Sequence, residues 1–344
     1  MGKWYRLQVA SGKWQVTVIT TLLPATRYQK RYDWVMRFLV TGGAGFLGMA
    51  LANRLVRSGH EVQVLDDLSR GNAEGLDTAV QFTQGDVDNI PLLWSLLRGV
   101  DCVYHLAARV SVAESILHPR EYSRVNVGGT VSLMEAMRDT GVRRVVLASS
   151  GAVYGRQPQQ PVHEDDHPQP DSPYAVSKWA AEQYVHTIGQ LWGIETVALR
   201  IFNAYGPGQP LPASHAPVVP RFLRQTISGG SVVLFGGGQH TRDFVYVTDV
   251  VEALVSAATA GGVNRQIINI GRGVETSITA LADEIEAVTG HKLHRIHNLE
   301  KAGGVPRLVA DISRAKMLLG FRPLVGLAEG LGRMVREDGR FRDA

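Results

Sequence analysis

The alternation of strand-like and helix-like segments after Met36 constrains the fold of this chain more than any other feature. Short apolar segments are separated by stretches long enough for a helix, ending with a helix over 174–192 and a strand over 195–201. Because parallel strands need crossover connections, this order predicts a doubly wound, parallel α/β sheet of the Rossmann type. The other predicted strands are 37–41, 61–66, 80–83, 101–106 and 143–149, and the other predicted helices are 46–58 and 120–140.

The rest of the chain sets the predicted domain organisation. We expect a dinucleotide-binding domain over 36–201 and a smaller substrate-binding domain over 202–344, with parts of 243–271 returning to the first. Five prolines within 207–220 break the periodicity, and long connections of this kind are often functional. Residues 1–35 lack a helical period and are interpreted as a disordered leader, left by an upstream start codon or an expression scar, with a targeting presequence as the alternative.

Charge and composition exclude several classes of protein. Six cations and one anion precede Met36, and their net charge is larger than the +4 of the whole chain. The rest of the chain is therefore near neutral and offers no basic stripe for nucleic acid. No apolar run approaches the roughly 18 residues that a membrane span needs. The single cysteine, Cys102, fits a reducing compartment, so we predict a cytoplasmic protein. From the charge and the apolar runs we predict neither nucleic acid nor membrane as a partner. His291, His294 and His297 have no carboxylate close by in the sequence, and no metal site is predicted.

A glycine-rich turn follows the first strand of the alternation. Gly42, Gly45 and Gly48 stand between a strand and a helix, where missing β-carbons let the backbone approach a pyrophosphate at the helix N-terminus. The next strand ends at Asp66, whose carboxylate can accept hydrogen bonds from an adenosine ribose. A 2′-phosphate at that carboxylate would cost about 4 kcal/mol at an effective dielectric of about 20. The sequence therefore predicts NAD as the cofactor, in preference to NADP.

A tyrosine and a lysine stand four residues apart at the start of the predicted helix 174–192. Tyr174 and Lys178 therefore share one face of that helix. A phenol has a pKa of about 10, and a nearby ammonium together with an oxidised nicotinamide can lower it toward neutrality. Ser149 and Ser150 end a predicted strand upstream of this pair. Together with the glycine turn, these residues predict general-base chemistry on a hydroxyl group.

These motifs, and others in the same order, resemble those of the extended short-chain dehydrogenases/reductases, and within them the sugar-nucleotide 4-epimerases. UDP-glucose 4-epimerase is the best-known member of that group. The resemblance extends from Met36 to about Leu331. The further motifs that carry it are Gly85-Asp86-Val87, His105-Leu106-Ala107-Ala108, Asn126 to Thr130, Ser149 to Gly155, Leu199 to Asn203 and Arg242 to Asp249.

The resemblance implies a role for each of these residues, and it implies a homodimer. Tyr174 would remove the proton of the reacting sugar hydroxyl, Ser150 would hydrogen-bond that hydroxyl, and Lys178 would hold the nicotinamide ribose. Cofactor contacts are implied for Gly42, Gly45, Phe46, Leu47, Gly48, Asp66, Asp86, Val87, Leu106, Ala107, Ala108, Asn126, Ser149, Tyr174 and Lys178, with Asp86 and Val87 at the adenine. Substrate contacts are implied for Ser150, Tyr174, Asn203, Val219, Phe235, Arg242 and Leu308, with Asn203 and Arg242 at the diphosphate.

The two residues after Ser150 distinguish between the chemistries of this group. Related 4,6-dehydratases carry an Asp-Glu pair there and related decarboxylases usually a glutamate, whereas this chain has Gly151 and Ala152. We therefore predict NAD-dependent 4-epimerisation of a UDP-sugar of the UDP-glucose/UDP-galactose type through a 4-keto intermediate. Because 301–304 and Leu308 depart from the best-known epimerases, a UDP-glucuronate or UDP-N-acetylhexosamine 4-epimerase, or another sugar-nucleotide enzyme of the group, stays open. A non-catalytic NAD sensor on the same fold is the alternative from another class.

Overall fold

The computed structural model describes residues 4–10, 13–19, 35–299 and 304–342. The chain separates into two units, Met1–Val35 and Met36–Ala344. In the first unit, strands β1 (Trp4–Ala10) and β2 (Lys13–Ile19) pair antiparallel, with Leu7 opposite Val16. The disorder predicted for the leader as a whole stays a prediction.

A seven-stranded, wholly parallel sheet forms the centre of the second unit. Its strands are rich in valine and leucine, and Leu39, Val103 and Val146 are fully buried, as expected for strands covered on both faces. The sheet confirms the predicted fold class. In spatial order the strands are β13 (Gln266–Ile270), β8 (Glu195–Ile201), β7 (Arg144–Ser150), β6 (Cys102–His105), β3 (Arg37–Thr41), β4 (Glu61–Asp66) and β5 (Gln81–Gln84).

Helices cover both faces of this sheet, because neighbouring residues of a strand point to opposite sides. Val40 belongs to the apolar cluster under α1 (Phe46–Arg57) and α8 (Val247–Thr259), whereas Leu39 belongs to the cluster on the other face. That second cluster lies under α2 (Ile90–Leu96), α5 (Gly129–Thr140) and α6 (Pro173–Trp192). In the part of the chain that the structure describes, no helix is long and apolar enough to cross a membrane.

The helix predicted over 120–140 is interrupted in the structure. Two short helices, α3 (Val112–Leu117) and α4 (Pro119–Tyr122), precede a π-helical stretch over Ser123–Gly128, and α5 follows it. Gly128 and Gly129 lie at the end of this stretch, and glycine weakens a regular helix. π-Helical turns are often found at functional sites. This one contains Asn126.

After Ile201 the elements are shorter and pair in small sheets. They are β9 (Asn203–Tyr205), α7 (Val218–Ile227), β10 (Ser231–Phe235), β11 (Thr241–Arg242), β12 (Phe244–Tyr246), β14 (Thr276–Ser277), α9 (Ile278–Thr289), β15 (His294–Asn298), α10 (Ser313–Leu319) and α11 (Leu327–Glu337). β9 pairs with β12, β10 with β15, and β11 with β14. Contacts join Met36–Ala344 in one compact unit, and β13 lies beside β8 in the main sheet. The division at residue 201 stays a prediction.

Candidate active site

The predicted cofactor and catalytic residues lie mainly at one edge of the main sheet, because parallel strands place all their carboxyl ends on the same side. The glycine-rich turn follows β3, Asp66 ends β4, and the Leu106–Ala108 segment follows β6. Ser149 and Ser150 end β7. This edge is where open α/β sheets bind their ligands.

The backbone of the glycine-rich turn leaves no room for β-carbons. Gly42 has a φ of +70°, and a Cβ there would lie 2.6 Å from the backbone nitrogen of Ala107. A Cβ on Gly48 would lie 2.2 Å from the carbonyl oxygen of Gly42. Gly45 is the N-cap of α1, and among the described residues no side chain caps this helix. The first N–H groups of α1 are therefore available to a phosphate, and these residues fit the pyrophosphate of NAD.

Phe46 and Leu47 open α1 and are half-buried, whereas Asp66 is 9% exposed beside the glycine-rich turn. The carboxylate of Asp66 accepts hydrogen bonds from the backbone N–H groups of Ala44, at 3.0 Å, and Leu68, at 2.9 Å. Burial raises the pKa of Asp66, and these N–H groups oppose that rise. The contacts fix the carboxylate beside the glycine-rich turn, and its contact with an adenosine ribose stays a prediction.

The residues expected at the adenine follow β5. Arg124 donates a hydrogen bond of 2.9 Å to the Asp86 carboxylate, and Val87 is buried against Gly129. Asp86 therefore has a partner within the protein, and its adenine contact stays a prediction. Val87 packs against the first residue of α5, next to the π-helical stretch.

Asn126 is 2% exposed and joins three parts of the cofactor region. Its Oδ1 accepts from the N–H of Arg109 at 2.7 Å, and its Nδ2 donates to the Arg109 carbonyl at 3.0 Å and to Ser177 Oγ at 2.8 Å. The polar atoms of Asn126 thus hold the segment after β6, which contains Leu106, Ala107 and Ala108, against α6. Its expected contact with the cofactor stays a prediction.

His105 was expected only as part of a motif, but the structure gives it a distinct position. Its Nδ1 lies 2.8 Å from Thr41 Oγ1 and its Nε2 lies 2.9 Å from Thr130 Oγ1. Burial lowers the pKa of His105 to about 3, so the ring is neutral at physiological pH. This imidazole links the start of the glycine-rich turn to α5.

The predicted catalytic tyrosine, Tyr174, lies in the first turn of α6. Ser172 caps that helix by accepting from the N–H of Ala175 at 3.3 Å, and Pro173 takes the first helical position. Tyr174 is 8% exposed. Burial raises the pKa of its phenol, and a hydrogen bond with Ser150 opposes that rise. The structure therefore brings Ser150 and Tyr174 together, as the sequence predicts.

Lys178 follows Tyr174 by one turn of α6 and is 5% exposed. Its ammonium donates a 2.7 Å hydrogen bond to the carbonyl of Ala148 in β7. Burial lowers the pKa of Lys178 to about 8, and Glu182 opposes that drop. The lowering of the Tyr174 pKa that we expected from Lys178 is not seen here, because burial raises that pKa and Lys178 is not among the groups that shift it. At neutral pH that lowering has to come largely from a charged ligand at the site.

The predicted diphosphate contacts, Asn203 and Arg242, lie near each other because β9 pairs with β12 in parallel, with Phe244 opposite Asn203. Both side chains are half-buried. Arg242 donates to the Thr241 carbonyl at 2.6 Å, and within the described residues no carboxylate forms a salt bridge with it. Burial lowers the pKa of Arg242. A half-buried guanidinium without a bonded carboxylate suits an anionic ligand such as a diphosphate.

The three apolar substrate residues differ in exposure. Val219 and Leu308 are buried, at 2% and 7%, whereas Phe235 is 45% exposed at the end of β10. Leu308 shares a cluster with Phe202, whose ring would lie 3.1 Å from a Cβ on Gly151. Phe235 is therefore accessible for stacking, and the substrate contacts of Val219 and Leu308 stay predictions. Lys301 lies outside the described residues.

The chain matches the model of the NAD dependent epimerase/dehydratase family over residues 38–271. It is 41% identical to the UDP-glucose 4-epimerase of Mycolicibacterium smegmatis, over 87% of this chain and 97% of that protein. The crystal structure of the Thermotoga maritima UDP-glucose 4-epimerase with UDP-glucose superposes with a TM-score of 0.84 and 33% identity, over 88% and 98% of the chains. The crystal structure of the Thermus thermophilus UDP-glucose 4-epimerase in complex with NAD superposes with a TM-score of 0.82 and 35% identity. This match covers 90% of this chain and 100% of that chain.

The chain belongs to the NAD dependent epimerase/dehydratase family. This assignment, with the likeness to UDP-glucose 4-epimerases, confirms the resemblance drawn from the motifs and the prediction of an NAD-dependent enzyme.

Proposed function

We propose that this protein catalyses NAD-dependent 4-epimerisation of a UDP-sugar of the UDP-glucose/UDP-galactose type. The observation that carries the proposal is that Ser150 and Tyr174 lie together at the carboxyl edge of the sheet, with Lys178 one helix turn after Tyr174 and bonded to β7. Gly151 and Ala152 add no acid or base there. Such a site suits reversible oxidation of a hydroxyl, and it lacks the carboxyl groups that water elimination needs.

The residues divide the reaction between them. Tyr174 takes the proton of the sugar 4-hydroxyl while Ser150 hydrogen-bonds its oxygen, and Lys178 holds the nicotinamide ribose. When bound, NAD supplies a reversible acceptor for the hydrogen and electron pair of C4. The 4-keto sugar turns over in the site and regains hydrogen on its other face, and Tyr174 returns the proton. Arg242 and Asn203 hold the diphosphate throughout, so the sugar can turn without leaving.

A panel of sugar nucleotides tests the proposal. We expect the purified protein to interconvert UDP-glucose and UDP-galactose without net reduction of NAD, as followed by chromatography of the products. The Tyr174→Phe protein serves as the control for contaminating activity. Accumulation of NADH in step with substrate loss would show a dehydrogenase, and inactivity on every UDP-sugar would reject the proposal.

A UDP-N-acetylhexosamine is the second candidate substrate, and Leu308 is the observation that favours it. In the resembling epimerases this position limits the space for the C2 substituent, and leucine is smaller than the tyrosine that some members carry. Conversion of UDP-N-acetylglucosamine at a rate comparable to UDP-glucose would support this candidate. UDP-glucuronate belongs in the same panel.

We also infer a homodimer, supported by an apolar surface on α3 and α6. Its side chains are Ile116, Leu117, Val176, Tyr184 and Leu191, all of them exposed. A second copy of the same surface could cover them, and large exposed apolar surfaces commonly mark interaction sites. Light scattering should give twice the chain mass, and Tyr184→Lys should yield monomers. A monomeric protein at micromolar concentration would contradict the inference.

The cytoplasmic location stays a proposal from the sequence. It is supported by the use of a single cysteine, Cys102, which is buried in β6 and whose pKa burial raises to about 12. Such a thiol is inert and needs no oxidising compartment. Fractionation of the producing cells, with recovery of activity in the cytosol, checks this.

A further inference from the structure

A buried polar cluster lies next to the proposed catalytic residues, between α6 and strands β7 and β8. The proposed reaction does not use it. It consists of Ser149, Glu182 and Arg200. The side chains of Arg200 and Glu182 are 2% and 0% exposed. Arg200 donates from Nε to Glu182 Oε1 at 3.0 Å and from Nη2 to Oε2 at 2.8 Å. The Ser149 hydroxyl donates to the same carboxylate, and the guanidinium lies 4.6 Å from the ring centroid of Tyr154.

The cluster continues a row of polar residues on α6. Tyr174, Lys178 and Glu182 follow one another at intervals of four, so they share a helix face. Lys178 donates to the carbonyl of Ala148, and Glu182 accepts from the next residue, Ser149. Two turns of α6 thus hold the two residues of β7 that precede Ser150.

Stability alone does not explain a fully buried ion pair. Apolar residues of similar volume often replace such pairs without loss of stability. The carboxylate of Glu182 has a second effect, since it opposes the drop that burial causes in the pKa of Lys178. His105 on β6 also interacts with Lys178, and its ring is uncharged. Glu182 is therefore the nearby charge that favours the ammonium.

We propose that Glu182 is a positioning residue, which fixes the end of β7 that carries Ser150 and places a carboxylate one helix turn from Lys178. Arg200 holds the carboxylate of Glu182 in its buried position through the two parallel hydrogen bonds. Ser149 joins the carboxylate to the strand. The proposal rests on the proposed function in one respect, because it takes Ser150 and Lys178 as catalytic residues.

Two variants test this role. Glu182→Gln removes the charge and keeps the shape, although it leaves Arg200 unpaired. Glu182→Gln combined with Arg200→Met removes both charges, so it keeps the test valid if the single variant does not fold. The control replaces an exposed pair with the same change in charge, Glu252→Gln with Arg54→Met.

The first measurement is the melting temperature of the holoenzyme against pH, which needs no turnover. Lys178 has a pKa of about 8 in the folded protein and about 10.4 when unfolded. Between these two pH values the unfolded state therefore binds more protons than the folded state. Because of this, the contribution of Lys178 to the free energy of unfolding rises as the pH increases from about 8 to about 10. Without Glu182 the rise should begin about one pH unit lower. Adding Lys178→Met to the wild type and to each Glu182 variant should abolish this rise in stability with pH.

The second measurement is the pH profile of epimerisation. We expect the basic limb of kcat to move about one unit toward lower pH, and kcat at neutral pH to fall about tenfold with KM nearly unchanged. The control pair should change neither curve. A double variant whose melting and kcat curves keep the wild-type pH dependence would overturn the proposal, even with reduced activity. If no UDP-sugar is turned over, the melting curves still decide the role of Glu182.

Discussion

The regions before and after Ile201 prepare their parts of the site by different means. Before Ile201, the predicted site consists largely of backbone, with a turn that has no room for a β-carbon at Gly42 or Gly48 and helix N–H groups that are available to a phosphate. After Ile201, the predicted site consists of individual side chains, with Asn203 and Arg242 on short strands and Phe235 at a strand end. A backbone site depends on spacing along the chain, whereas a side-chain site depends on distant elements coming together.

This difference leads to opposite expectations for substitutions. Changes before Ile201 should alter chemistry or cofactor choice and leave the affinity for the sugar nucleotide nearly unchanged. Changes after Ile201 should alter that affinity or the choice of sugar, with the cofactor unaffected. A substitution with both effects would show that the two regions act as one.

Tyr174→Phe should have the largest effect. Removing the phenol deletes the general base, which typically contributes about 10² to 10⁴ in rate, while fold and NAD content should persist. Progress curves with UDP-galactose, melting temperature and absorbance of released NAD measure the three quantities. Retention of more than a tenth of kcat would remove Tyr174 from its role.

Asp66→Asn should have the second largest effect, which is on the choice between NAD and NADP. The carboxylate is held by N–H groups of Ala44 and Leu68, and its charge would repel a 2′-phosphate by about 4 kcal/mol, or roughly a thousandfold. Without the charge, the preference for NAD over NADP should fall by most of that factor. Titration of cofactor-free protein with each dinucleotide checks this, with Asp67→Asn as the neighbouring control. An unchanged ratio would mean that another group selects the cofactor.

Much of the main sheet could be predicted because its determinants are local. The predicted and observed bounds agree at 37–41, 61–66 and 195–201, and the first two of these strands are followed at once by Gly42 and Asp67. The helix over 120–140 was predicted without its π-helical stretch, since that depends on how Asn126 packs against Arg109 and Ser177. Short strands such as β9 and β12 carry too few residues for a period to show.

The same reasoning applies to the site. Tyr174 and Lys178 are related by helix spacing, so their pairing was predictable from the sequence. The role of Glu182 was missed, although its position four residues after Lys178 was a signal, because Arg200 reaches it only through the packing of α6 on β8. His105 was missed as a link for the same reason, since Thr41 and Thr130 are remote in sequence.

Arg242→Met tests the side-chain site. The guanidinium is half-buried and has no salt bridge within the described residues, so its loss should raise KM for UDP-sugars about 10- to 100-fold. Stability should hold or improve, because an unneutralised half-buried charge is removed. Arg295→Met, which breaks pairs with Asp283 and Glu286 on the surface, is the matched control. A loss of NAD content in Arg242→Met would break the division between the regions.

Leu308→Tyr should have a smaller and selective effect. Leu308 packs with Phe202, which lies against Gly151 next to Ser150, so a larger ring has to project toward the sugar or overpack the cluster. In the first case the ratio of N-acetylhexosamine to hexose turnover should fall roughly tenfold. In the second case, both activities should fall and the melting temperature should drop. The free energy of unfolding should decrease by about 1 to 3 kcal/mol. Leu308→Met, which conserves volume, should change neither.

Removal of residues 1–35 should have the smallest effect, because the main unit completes its own core. β3 lies inside the sheet between β6 and β4, so no strand is needed beside it. Its first residues are held within the unit, where the N–H of Met36 donates to His60 at 3.4 Å and that of Arg37 donates to Asp101 at 2.7 Å. A protein that begins at Met36 should match the full chain in kcat/KM and melt within about 2 °C of it. Deletion through residue 41 removes β3 and should abolish folding, which gives the contrast. A drop of several degrees after the shorter deletion would show that the leader stabilises the main unit.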